Sequence, residues 1–86
     1  MMAGVSLCAY GLDTQEAQWR QVMNHHYQIY NNPAQSLESR VYAAFELSNG
    51  YTFGGNEELA DYYYNQSVAL AHASGRYAEF QECGVV

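Results

Sequence analysis

From Trp19 onward, large apolar side chains recur at steps of three and four: Trp19, Val22, Met23, His26, Tyr27 and Tyr30. That spacing is the stripe of an amphipathic helix. Asp13 followed by Glu16 has the capping-box arrangement and predicts the helix start. Asn32-Pro33 predicts its end, because the residue before a proline is pushed out of the helical region. The same dipeptide reads as the start of a second helix, with Asn32 as cap and Pro33 in its first position. Leu37, Val41, Ala44, Phe45 and Ser48 form the second stripe. Asn56 predicts the cap of a third helix, whose first turn carries Glu57 and Glu58 and so complements the helix dipole. Leu59, Tyr62, Tyr63, Gln66, Ala69, Leu70 and Ala73 share one face of it, and Gly75 reads as its stop. "RYAEFQEC" fits a short fourth helix, and residues 1–12 fit either a short strand or an arm packed on the rest. The elements predict an all-α fold, a small three- to four-helix bundle in one domain over residues 1–86. Its expected core is Trp19, Tyr27, Leu37, Val41, Phe45, Leu59, Tyr63 and Leu70.

The end of the second helix has two readings. Asn49-Gly50 ordinarily marks a helix end. Against this, Leu47, Ser48, Tyr51, Gly55, Ala60, Tyr64 and Ser67 follow a sparse pattern of small and large residues. Over about residues 41–71 this resembles one tetratricopeptide repeat, a helix-turn-helix unit. The chain departs from the family pattern at Ser48, where glycine is usual, at Ser67, where alanine is usual, and at His72, where proline is usual. No second copy occurs at a fixed period. The resemblance implies a second helix running through Gly50 to about Phe53, with a helix hairpin turning at Gly54-Gly55. It also implies that the first helix and the C-terminal segment complete the core, since a lone repeat cannot bury its own face.

Charge narrows the choice of partner. The chain has no lysine, and Arg20, Arg40 and Arg76 face nine carboxylates, for a net charge of −6. Direct binding of nucleic acid or an anionic membrane needs basic side chains, and these are scarce. A basic protein surface is the complementary partner. The N-terminal segment lacks a basic region and is too short to span a bilayer, so a cytoplasmic location is expected. Cys8 and Cys83 are then expected to be reduced and half-buried, although they would be able to pair if the termini met. The Asn65-Gln66-Ser67 triplet matches a glycosylation acceptor, which has no use without export.

Catalytic and cofactor chemistry finds little support. Gly54-Gly55 leads into Glu57, Glu58 and Asp61, which would repel a phosphate rather than cradle it. Cys8, Cys83, His25, His26 and His72 lack the close pairing of a structural zinc site. The two adjacent histidines point about 100° apart, with His26 expected on the buried stripe and His25 in solvent. No nucleophile–base constellation is visible, so no cofactor and no enzymatic activity are expected.

The tyrosines carry more information. There are nine of them. Tyr62, Tyr63 and Tyr64 spread over about 200° of helix, so at least one must face outward. From Glu46 to Ala71 the chain has four carboxylates and no basic residue. The expected partner-binding set is therefore Glu46, Tyr51, Glu57, Glu58, Asp61, Tyr62 and Tyr64, with Tyr63 turned inward. Charge would steer a basic partner in, and the aromatics would hold it. The expected function is a non-enzymatic protein-binding domain: a small acidic, stoichiometric inhibitor that masks a basic surface of its partner. Where that surface normally holds nucleic acid, the inhibitor would compete with it, in the manner of small phage-encoded anti-defence proteins. The alternative is a tetratricopeptide-like adaptor or small chaperone that binds a helix or peptide in an apolar groove. The sequence leaves the oligomeric state open.

Overall fold

The second helix lies between the first and the third and touches both. The structure, a computed structural model, describes the backbone of residues 7–86 and the side chains of residues 15–86. Among them the fold is all-α: α1 (Leu7–Tyr30), α2 (Leu37–Phe53), α3 (Glu57–Ser74) and α4 (Tyr77–Glu82). They form a small bundle with a helix hairpin at Gly54-Gly55.

Two helix starts differ from expectation. Asp13 does not begin α1, which is already helical at Leu7. Leu7, Ala9 and Leu12 are good helix formers, and no proline intervenes to make the capping box a boundary. Residues 7–12 are thus part of the helix rather than a strand or separate arm; residues 1–6 lie outside the described residues. Asn32 does not cap α2. Its Oδ1 accepts the Ala34 N–H at 2.9 Å, and its carbonyl accepts the Gln35 N–H at 3.0 Å. That local turn competes with a helix start. The cap is Ser36, whose Oγ accepts the Ser39 N–H at 3.1 Å. Arg40, one turn into α2, donates its Nε–H to the Tyr30 carbonyl at 3.0 Å and so satisfies an orphan acceptor at the end of α1.

The α2–α3 hairpin closes where the later of the two readings put it. α2 runs through Gly50 to Phe53, and Gly55 turns the chain at φ 83°. α3 begins on Asn56, whose Oδ1 accepts the Leu59 N–H at 3.1 Å, and it stops at Gly75. Gly50 has a tertiary task instead of a terminal one. A Cβ there would overlap the Met23 sulfur and lie 3.0 Å from its Cε. The Trp19 indole N–H also donates to the Gly50 carbonyl, at 3.3 Å. Glycine lets α1 approach this closely.

The centre of the bundle is built mostly from small side chains around Val41 and Leu47. Val41, Ala44, Leu47 and Ser48 of α2 are buried, as are Ala60, Ser67 and Ala71 of α3. The Ser48 hydroxyl donates to the Ala60 carbonyl at 2.8 Å and that of Ser67 to the Tyr64 carbonyl at 2.6 Å, so neither is left unpaired. Phe80 and Val85 from the C-terminal segment seal Val41 and Ala71, with Phe45 and Leu70 alongside. Of the expected core only Val41 is fully buried. Trp19, Tyr27, Leu37, Phe45, Tyr63 and Leu70 are half-buried, and Leu59 is 37% exposed. The inward face of α3 is turned by about one residue, or 100°, from the large-residue stripe. Small residues let two helix axes come close, and the larger side chains then straddle the seam.

Candidate functional site

Spacing on α3 gathers five of the predicted binding residues into two adjacent rows. Glu57, Asp61 and Tyr64 follow at i, i+4 and i+7, and Glu58 and Tyr62 at i and i+4, which brings each set onto one face. All five are exposed, Tyr62 by 50% and Tyr64 by 42%. The acidic first turn is also where the positive end of the helix dipole favours carboxylates.

No basic side chain answers these acids. Arg20 pairs with Glu16 at 3.3 Å, and Arg76 with Glu79 at 2.8 Å and Glu38 at 3.3 Å. Arg40 is spent on the Tyr30 carbonyl. Hydrogen bonds from Arg76 hold the Glu79 carboxyl below its ordinary range. Among the described residues Glu57, Glu58 and Asp61 take part in no ion pair, so their field is directed at solvent.

Tyr51 and Glu46 lie elsewhere. The Tyr51 hydroxyl shares a hydrogen bond with that of Tyr27, its ring stacks on Tyr63 at 5.8 Å, and its edge meets Trp19 at 6.2 Å. Tyr63 in turn meets Tyr27 at 5.7 Å and Tyr30 at 5.5 Å, and the Tyr30 hydroxyl donates to Gln66 Oε1 at 3.1 Å. This half-buried aromatic layer ties α1 to α3 across α2. Burial pushes the Tyr27 phenol well above the ordinary tyrosine range, and its bond to Tyr51 adds to the shift. Burial also raises Tyr30, with Tyr62 and Tyr63 contributing. The layer meets the α3 surface only at its rim, where Tyr62 packs edge-on against Tyr63 at 4.9 Å. Glu46 is exposed, accepts from the Asn49 amide at 3.3 Å, and lines a groove between α1 and α2 with Trp19, Val22, His26 and Phe53.

Among the described residues Phe53 is the most exposed large apolar side chain, at 87%, and the expected binding set does not include it. Its position in the last turn before a double glycine was the available signal, since a hairpin that turns there leaves that residue past its own seam. Val22, expected on the inward stripe, is 54% exposed beside it. The rim of the α1 stripe faces this groove rather than the core.

The remaining chemistry-bearing groups are dispersed. No three of the described His, Cys, Asp and Glu side chains come together as a metal site would need. His72 stacks on Tyr77 at 4.0 Å, His26 is half-buried, and His25 is exposed. Cys83 is exposed rather than half-buried, because it lies just past α4 and outside the Phe80–Val85 contact. The Cys8 side chain is outside those described, and so is any pairing between the two. In the hairpin turn the Gly54, Gly55 and Asn56 N–H groups donate to the Gly50, Thr52 and Tyr51 carbonyls, so these three are not free to hold a phosphate. Among the described residues no helix is long and apolar enough to cross a membrane. Comparison with protein-family models, curated proteins and solved structures yields no match to this chain.

Proposed function

We propose that the protein is a non-enzymatic binding domain that presents the acidic, tyrosine-bearing side of α3 to a basic surface of a partner protein. The observation that carries this reading is the uncompensated charge of Glu57, Glu58 and Asp61 beside exposed Tyr62 and Tyr64, while all three arginines are engaged elsewhere. Unpaired carboxylates steer a cationic partner, and exposed tyrosines supply contact area at little entropic cost. The domain acts as a stoichiometric mask, and where the covered surface serves nucleic acid it works as a competitive inhibitor of the anti-defence kind. We also propose that the α2–α3 hairpin is tetratricopeptide-like in its packing. Burial of Leu47, Ser48, Ala60 and Ser67 along one seam supports that likeness.

The test is affinity capture from the native host at two salt concentrations, followed by association kinetics with the recovered partner. Neutralising Glu57, Glu58 and Asp61 together should slow association at low salt. The difference should fade as salt rises, because exposed charges are screened beyond about 10 Å at 0.1 M. Tyr64→Ala should mainly speed dissociation. Association unchanged by the triple neutralisation at every salt concentration would remove the stripe from the interface.

A further inference from the structure

The flank of α2 turned away from α3 carries a second surface. Ser48 packs on α3, and Glu46, two residues earlier, points about 200° away from it round the helix. There an open groove follows the α1–α2 seam in two halves that share His26 and Glu46. Phe53 and Val22 stand at one end, and Ile29 and Tyr42 at the other. Tyr42 and Phe53 are separated along α2 by about 16 Å, or three helical turns. Among the described residues Glu46 is the one formally charged side chain lining either half, and it sits between the apolar ends.

We infer that this groove docks an amphipathic helix of a partner protein, with apolar anchors for the two ends and an arginine or lysine between them for Glu46. The length matches a helix that presents side chains at i, i+4, i+7 and i+11, the usual mode of helix-in-groove recognition. Charge selects a foreign helix over a second copy of this chain. The chain has no lysine, none of its three arginines lines the groove, and a two-fold contact through the groove would bring one Glu46 toward the other. The inference is independent of the α3 stripe, since the two surfaces lie on different flanks and fail separately.

A synthetic helical peptide tests it, with leucines at i, i+4, i+7 and i+11 and arginines at i+3 and i+8. Titrated into isotope-labelled protein, it should give saturable chemical-shift changes at Val22, His26 and Phe53. Glu46→Gln should weaken binding about tenfold, the size of one charge-assisted hydrogen bond. Phe53→Ser, at an exposed position that leaves the fold intact, should abolish it, and glutamates in place of the peptide arginines should do the same. Neutralising Glu57, Glu58 and Asp61 should leave the shifts in place. Three results would overturn the inference: no saturable binding by about 1 mM peptide, shifts confined to Glu57–Tyr64, or a concentration-dependent dimer that Phe53→Ser dissolves.

Discussion

Replacing Gly50 by alanine tests how closely α1 approaches α2. In an unobstructed helix interior the change stabilises by about 1 kcal/mol, because alanine is the better helix former. Here the new methyl group would overlap the Met23 sulfur, and because Met23 is only 4% exposed its thioether end must repack against its neighbours. Forcing an extra methyl into a filled contact costs about 1–3 kcal/mol. The balance is a loss of about 0–2 kcal/mol, and each 1 kcal/mol lowers the melting temperature of a domain this size by about 4–8 °C. Met23→Ala alone should cost about 2–5 kcal/mol as a cavity. In that background the obstruction is gone, and Gly50→Ala should become stabilising by about 0.5–1 kcal/mol. The sign reversal is the signature. Urea unfolding of the four proteins, followed by far-UV circular dichroism with m-values compared, gives the coupling directly. If Gly50→Ala stabilises the unmodified protein by the full helix-propensity gain, or has one sign in both backgrounds, the close approach at Met23 is refuted.

Two further outcomes follow from the packing. Leu47→Ala, at a fully buried site, should cost about 2–5 kcal/mol, whereas Leu59→Ala, at an exposed one, should stay within about 1 kcal/mol; equal losses would mean that the inward face of α3 is misplaced. The raised phenols of Tyr27 and Tyr30 bind their protons more tightly in the folded chain than in the unfolded one. Their stabilising contribution is therefore complete below the ordinary tyrosine value of about 10 and is lost as pH rises above it. Urea midpoints at pH 8 and pH 11 should fall less in Tyr27→Phe than in the unmodified protein, and an equal fall would place Tyr27 outside the coupled layer.

Helix count and both ends of α3 were legible because their signals are local. Asn56 and Gly75 act through their own backbone neighbours, and that chemistry is written in adjacent letters. Facing directions were harder to read. Large apolar side chains on α3 suggested one inward stripe, but the small residues one position round are what meet α2, since they permit the closer approach. Gly50 illustrates the same limit. Locally it spells a helix end, and the presence of Met23 across the seam is what explains a glycine inside a continuing helix. The α3 rows were legible because all five residues share one helix and a fixed spacing. Tyr51 and Glu46 were not, because their relation to those rows depends on the rotation of α2, which linear proximity does not encode. Tyr51 is drawn to Tyr27 and Tyr63, and Glu46 is carried to the opposite flank.

On the proposed function, a helix seam rich in alanines and serines also decides which aromatics are available for recognition. Ala43, Ala44, Ala60 and Ala71 bury little apolar area apiece, so covering the seams falls to larger side chains at their edges. Tyr27, Tyr30, Tyr51 and Tyr63 do this on one side of α2, through one another's rings and hydroxyls. Turning any of them toward a partner would uncover the seam and leave hydroxyl groups without their present partners. Tyr62, Tyr64 and Phe53 carry no comparable duty, because each is already substantially in solvent. Under the proposed function the division separates stability from binding. Substitutions in the tyrosine layer should register first in unfolding, and substitutions at Glu57, Glu58, Asp61, Tyr62, Tyr64 or Phe53 should register first in association. A partner lost through Tyr63→Ala would therefore say little about the interface until the melting curve of that variant had been measured.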